Sequence, residues 1–317
     1  MKRAQTGVAL ITILMLVALA TILAASIAKQ QQATAENTAY LMRQNQALLY
    51  SKSAEAFFSE LLVDDAKNAA DVDHLQETWA QPMPAFPIDG GFVSGVLEDQ
   101  SGKFNLNSLV AADGETVNIA AQQWFERLLV SVGLPAELSQ AVIDWQDQND
   151  EVSGNMGAEN SYYASLANGY AAANQPFHHA AQLRQVRGFE GKNYALIRDY
   201  VTAAQQQDST LNLNTASSIV LASLDPTLNV AQIDTLRQQR QANLAHWSHV
   251  TEFWATEPFS QVDPAQQTQL NALLGVTSNR FQAKIEVQFQ GRQRQLTSDL
   301  VRQQQRVYVE QRSLAPF

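Results

Sequence analysis

Cysteine is absent from all 317 residues. No disulfide framework, thiolate metal site or cysteine nucleophile is available to the chain. Basic residues are also scarce: 21 Lys and Arg stand against 31 Asp and Glu, a formal net charge of −10. That balance repels phosphate backbones and removes the main driving force for nucleic-acid binding, leaving cations and protein surfaces as better partners. Proline and glycine are missing from Val8 to beyond Ala70, so nothing there forces the backbone to break. Charge is missing from Val8 to Ala28, about the length that crosses a ~30 Å hydrocarbon core. No Gly-x-Ser-x-Gly elbow, phosphate loop or His-Glu-x-x-His zinc helix occurs, and each missing pattern removes a class of enzyme.

What is present begins with a membrane segment. Lys2 and Arg3 precede the apolar run, and positive charge stays cytoplasmic, so the remainder is expected outside the cytoplasm. Cleavage after the run, near Ala24, Ala25 and Ser26, is the reading an ordinary secretory signal would give. The leader Lys-Arg-Ala-Gln-Thr-Gly followed by Val8 and Ala9 instead resembles the substrates of prepilin peptidase. That resemblance implies cleavage between Gly7 and Val8, with the apolar helix retained.

Tyr40, Ala47, Ala54, Phe58 and Leu61 recur at helical spacing, which predicts one unbroken helix from Val8 to near Ala66. Pro82, Pro84, Pro87 and Gly90-Gly91 predict a loop. Phe92 to Asp99 and Lys103 to Leu106, around Gln100-Ser101-Gly102, read as a hairpin. Phe281, Ala283, Ile285, Val287 and Phe289 alternate with polar residues as a half-buried strand, followed by strands over Arg292 to Leu300 and Arg306 to Gln311. Helices are expected over Ile119–Val132, Pro135–Trp145, Tyr194–Ala204, Ala216–Leu224, Val230–Asn243 and Pro264–Leu274. The expected class is α+β: a long N-terminal helix packed on a small antiparallel sheet, with a large all-α domain inserted between strands. The expected divisions are a leader at 1–7, a membrane segment at 8–28, an exported helix at 29–70, a body from 71–111 and 276–317, and an inserted helical domain at 112–275. A faint echo joins Phe104-Asn105-Leu106-Asn107-Ser108-Leu109 to Leu211-Asn212-Leu213-Asn214-Thr215-Ala216. In each copy Asn, Ser or Thr can cap a following helix.

The densest polar cluster runs from Asp144 through Asp147, Asn149, Asp150 and Glu151 to Glu159 and Asn160. Carboxylates and amides at alternating positions can converge as a ring of oxygens that suits Ca²⁺. Asp147, Asn149 and Glu151 follow an EF-hand's opening spacing, but Val152 and Ala158 stand where its glycine and final acid belong. A solvated acidic loop is the alternative. Asp144, Asp147 and Glu159 could also supply an acid and base pair for hydrolysis. His246 and His249 could share a helix face as metal ligands, while His74, His178 and His179 show no ligand pattern.

In order along the chain, Gly7-Val8-Ala9-Leu10, Gly102 through Leu109, Asp144-Trp145 through Asp150-Glu151, Gly157 through Tyr163, Asn174-Gln175-Pro176-Phe177 and Leu183 through Gly188 resemble the K-type minor pseudopilins of type II secretion systems (GspK family). The resemblance implies no catalysis and a structural calcium ion, with Asp147, Asn149, Asp150 and Glu159 as first ligands and Glu151 and Asn160 as second choices. It further implies a single-pass inner-membrane protein, N-terminus cytoplasmic and body periplasmic, at the tip of a pseudopilus. N-methylation at Val8 belongs to the same expectation. The implied partners are the I-type and J-type minor pseudopilins, the major pseudopilin, prepilin peptidase and the inner-membrane secretion platform, with secreted substrate a further candidate. Thr12 takes the fifth mature position, where most pilins carry glutamate. The competing reading is a membrane-anchored periplasmic enzyme or binding protein that uses the acidic loop.

Overall fold

The computed structural model describes residues 6–68, 71–204 and 210–314. Helix α1 spans Thr6–Asn68 without a break, a rod of roughly 95 Å at 1.5 Å per residue. Val8 to Thr38 lie exposed. Further along, Ala47, Ser51, Ala54, Glu55, Phe58, Leu62 and Ala66 form one buried stripe, the 3.6-residue period expressed as packing. Leu62 is fully covered, as are Phe58 and Ser51, whereas Leu61 only flanks the stripe and Tyr40 stays exposed.

That stripe lies on a five-stranded antiparallel sheet of β1 (Met83–Ile88), β2 (Gly91–Asp99), β7 (Arg280–Phe289), β8 (Arg292–Gln303) and β9 (Arg306–Ser313), in the order β1-β2-β7-β8-β9. The alternation expected in β7 holds: Phe281, Ala283, Ile285, Val287 and Phe289 are buried with Phe58, Leu62 and Trp79. Gly95 permits the closest approach, because a Cβ there would stand 2.9 Å from the Phe58 ring.

Two sequence expectations fail here. The proline-rich stretch is not a loop but edge strand β1, where Pro84 and Pro87 are tolerated because the outer side needs no donors. The hairpin is not formed either, since β2 pairs with β1 and β7 throughout. Asp99 turns the chain by accepting from the Ser101 amide at 2.7 Å, and β3 (Phe104–Asn105) pairs in parallel with β4 (Val201–Thr202).

Between β2 and β7 lie the helices α2 (Ile119–Ser131), α3 (Leu138–Gln146), α4 (Asn160–Ala164), α5 (Lys192–Ile197), α6 (Ser218–Ala222), α7 (Val230–Ala242), α8 (Val250–Ala255) and α9 (Pro264–Leu270). The expected helix over Tyr194–Ala204 stops at Ile197, because Val201 and Thr202 serve the β3 pairing. Helix α8, unassigned from sequence, is too short to show a period. Phe104, Leu106, Leu109 and Val110 join the core of the helical body, so the two cores part close to Gly102, not at residue 111.

The sequence echo is a structural duplication. Asn107 donates to the Phe177 carbonyl at 2.9 Å and accepts from its amide at 2.8 Å. Asn214 does the same with Trp247, at 3.0 and 2.8 Å. Each clamped aromatic opens the same run, Phe177-x-His179-x-x-Gln182-Leu183 and Trp247-x-His249-x-x-Glu252-Phe253, with Gln182 and Glu252 accepting from the amides of His178 and Ser248. Each unit closes by parallel pairing, β3 with β4 and β5 (Leu211–Asn212) with β6 (Leu274–Gly275).

The body is inserted at one end of the sheet. The Gly91 and Phe289 end lies beside Tyr50 of α1, while the Asp99 end meets Ser278, Thr215 and, through Ser278, Asp73. The helical mass therefore sits at the end of α1 far from the apolar segment.

Candidate metal centre

The last turn of α3 buries Asp144, and its C-cap residue Asp147 adopts an extended conformation that ends the helix. The chain then loops through Asn149–Ala158 and returns at Glu159, the N-cap of α4. Asp144, Asp147 and Glu159 come together with a carboxylate oxygen from each within 4.8 Å of the others. All three are at most 2% exposed. Asp144 stands in the polar cluster but outside the ligand set that the resemblance implies, and the structure brings it to Asp147, three residues on at the end of α3.

The three are not equally satisfied. Asp144 accepts from the Ser153 amide at 3.1 and 3.2 Å. Asp147 Oδ1 and both Glu159 oxygens are buried with no hydrogen-bond partner among the described residues. Burial, reinforced by Asp144, pushes the Asp147 carboxyl up to about 6. Burial and then the charges of Asp144, Asp147 and Asp150 push Glu159 up to about 8. Burial also raises Asp144, against its bonds from Ser153. Converging buried carboxylates without donors are costly unless a cation joins them, and an all-oxygen donor set suits a hard divalent ion.

The other proposed ligands frame this pocket. Asn149 Oδ1 accepts from the Glu151 amide at 2.7 Å, which closes a local turn. Asp150 Oδ1 accepts from Asn160 Nδ2 at 3.0 Å, and Asn160 Oδ1 accepts from the Ala172 amide at 3.0 Å. Glu151 is exposed and stands outside the carboxylate trio. Sequence reading missed Arg187, which donates to the Gly157 carbonyl at 2.9 Å and lies over the Tyr162 ring. The Gly157 position itself is tight, since a Cβ would meet Asp144 Oδ2 at 2.4 Å.

A second acidic group, Asp65, Asp73 and Glu77, has its own cation. Arg302 donates to Asp65 and, at 2.6 Å, to Asp73. The histidines form no such centre: among the described residues no metal-competent group of three contains one. His246 lies outside any helix and stacks on His74 with ring centroids 4.3 Å apart, and His249 is the exposed N-cap of α8. His179 caps a short helical turn by accepting from the Ala181 amide.

Comparison with known proteins places this geometry. Two family models for type II secretion system protein K match residues 102–206 and 211–277, the two helical units. Type II secretion system protein K of Pseudomonas aeruginosa is 36% identical over 234 residues, covering 71% of this chain and 69% of that protein. The chain belongs to the type II secretion system protein K family. The Klebsiella pneumoniae member is 30% identical over 297 residues, 90% of this chain and 89% of its own. The solved GspK–GspI–GspJ complex from enterotoxigenic Escherichia coli contains a chain superposable with TM-score 0.78 at 26% identity, covering 89% of this chain and all of that one. The pilin-like α+β fold is shared with that structure. Among the described residues one helix is long and apolar enough to cross a membrane.

Proposed function

We propose that this protein is a minor pseudopilin at the tip of the type II pseudopilus, where it initiates or caps assembly for the export of folded proteins across the outer membrane. The observation that carries the reading is the helical body at the end of the sheet farthest from the apolar segment, in a chain that matches protein K of a GspK–GspI–GspJ complex over nearly its full length. Bulk of that kind is accommodated above a fibre and crowded within its shaft. I-type and J-type minor pseudopilins are the direct partners. The major pseudopilin, prepilin peptidase and the inner-membrane platform complete the set, and no catalysis is involved.

Val8 to Ala28 spans the inner membrane once, with the basic leader cytoplasmic and the body periplasmic. Prepilin peptidase cuts between Gly7 and Val8, leaving an N-methylated Val8. Thr12 fits a first subunit, because its hydroxyl is satisfied by the Ala9 carbonyl at 2.8 Å. A glutamate there would need a neighbour's amine to offset several kcal/mol in lipid, and a tip subunit has no neighbour above it.

Calcium is held structurally. Asp144, Asp147 and Glu159 would hold it, with Asp150 in electrostatic reach of Glu159. Bound there, the ion neutralises the buried charge. The residues themselves tie the α3–α4 loop to the core of the first helical unit, setting the shape of the surface offered to partners.

The test of the assignment is the N-terminal residue and mass of the protein recovered from membranes of hosts with and without prepilin peptidase. A peptidase-dependent start at Val8, lost in Gly7→Trp together with secretion, is the expected result. An intact Met1 in both hosts, or a start after Ser26, removes the reading.

A further inference from the structure

Where α1 first meets the sheet, Tyr40, Arg43, Gln44 and Ala47 face Phe289, Arg292, Gln293 and Arg294 across a groove of about 280 Å³. Three arginines line it and, among the described residues, no carboxylate does, in a chain whose net charge is −10. Arg294 is committed to structure, donating to the Gln44 carbonyl at 3.1 Å and to its side chain. Arg292 stacks over the Tyr40 ring at 5.0 Å. Arg43 and Arg292 have no acidic partner among the described residues. Two clustered guanidinium groups without counter-charge are a recognition site for carboxylate or phosphate.

Place decides between those sources. Tyr40 lies twelve residues beyond Ala28, where the apolar run ends, about 18 Å along the helix. An upright helix therefore holds the groove well above lipid phosphates. Level with it in an assembly is the bare neck of another pilin-like subunit. This chain shows what such a neck offers: Lys29 to Thr38 is exposed throughout, with Glu36 at the end nearer the groove and Lys29 at the membrane end. Beside the groove, Leu41 and Met42 stand exposed at 59% and 67%, an apolar margin against which a second helix can lie.

We propose that the groove between Tyr40–Ala47 and the β7–β8 turn docks an acidic helical neck of a neighbouring pilin-like subunit, whose carboxylates pair with Arg43 and Arg292. The proposal rests on the pseudopilin reading and adds to it the contact surface and its chemistry. Opposite charge across such an interface fixes register and partner choice more than raw affinity.

The test uses the full-length chain in cells that make the whole secretion system, with a photo-crosslinking amino acid at Gln293 and, as control, at Leu49, an exposed position outside the groove. The Gln293 probe is expected to capture a pilin-like subunit. Arg43→Glu with Arg292→Glu should cut that yield roughly tenfold or more, and reversing an acid in the captured neighbour should restore it. The neutral pair Arg43→Gln with Arg292→Gln serves as second variant should the reversal disturb folding, and is expected to cut the same adduct. A phospholipid adduct at Gln293, or a subunit adduct indifferent to both variant pairs, overturns the proposal. Capture from Leu49 with none from Gln293 sinks the groove and leaves the assembly reading standing; silence at both positions removes the two together.

Discussion

Two buried oxygens of Glu159 and one of Asp147 make no hydrogen bond among the described residues, so the stability of the protein without a bound cation is tied to protons. Both folded-state values lie above the ordinary carboxylate range, at about 8 and about 6. A native acid with a raised value holds a proton that the unfolded chain has released, so stability falls as pH rises from near 4 through about 8. A divalent cation held by the carboxylate trio would replace those protons, and its benefit would grow over the same window. Melting of the full chain in detergent at pH 5 and pH 8, with chelator or with calcium, should give the larger calcium shift at pH 8. At a hundredfold excess over Kd the gain is about 2.7 kcal/mol. Glu159→Gln should raise apo stability at pH 8 and abolish the calcium shift; a variant that keeps the full shift would rule out the carboxylate trio as the site.

At the scale of elements, most contacts are made by short pieces that cannot stand alone. Five-residue α6 and two-residue β5 have too few internal bonds to persist in water. The segments around them are tied by asparagine clamps, Asn107 to Phe177 and Asn214 to Trp247, whose loss strands a backbone amide and a carbonyl. Asn107 is 3% exposed and Asn214 only half-buried, so Asn107→Ala should cost about 2–5 kcal/mol in a denaturant titration and Asn214→Ala distinctly less. Equal costs would mean that water reaches both clamps alike. On the sheet, Gly95→Val drives a side chain into Phe58 and is expected to cost about 1–3 kcal/mol, read in the same titration. The elements legible in the sequence included those with a local period or end signals: α1, whose apolar stripe repeats over its sheet-bound half, α2, α3, α7 and α9, and β7 to β9, which follow one another through short turns. Strand β1 was hidden because its prolines look like a loop until the edge position is known. Strand β3 was legible as extended chain but assigned to a hairpin with β2, because its partner β4 lies almost a hundred residues away.

In the whole molecule, a buried polar junction joins the sheet to the helical body. Asn212 donates to the Asp73 carbonyl at 3.1 Å and to Ser278 Oγ at 2.7 Å, and Ser278 donates to Asp99. Asp99 also accepts from Thr215, and burial still pushes it up to about 6. Beside it, Arg302 neutralises Asp65 and Asp73. Replacing Arg302 with methionine leaves buried acids unpaired, a loss of about 3–5 kcal/mol. Protease sensitivity should then rise at the seam near Gly102 before the helical core opens. Single-step digestion with no early cut there would show that the junction does not hold the two bodies together.

Composition, the charge-free segment and the order of short stretches determined, without coordinates, that this is a long-helix α+β protein with a helical insertion. Each of those signals lies within a few turns of chain, where periodicity and charge act locally. Asp147 and Glu159 were legible for the same reason, as acids in a dense polar run. Tertiary structure alone decided that Asp144 joins them, that Arg302 neutralises the other acidic group, that the inserted body stands at the membrane-distal end, and that arginines from residues 43 and 292 share a groove. Those facts depend on which distant surfaces the hydrophobic cores bring together, and burial, which gives each charge its energetic weight, exists only once the cores have formed.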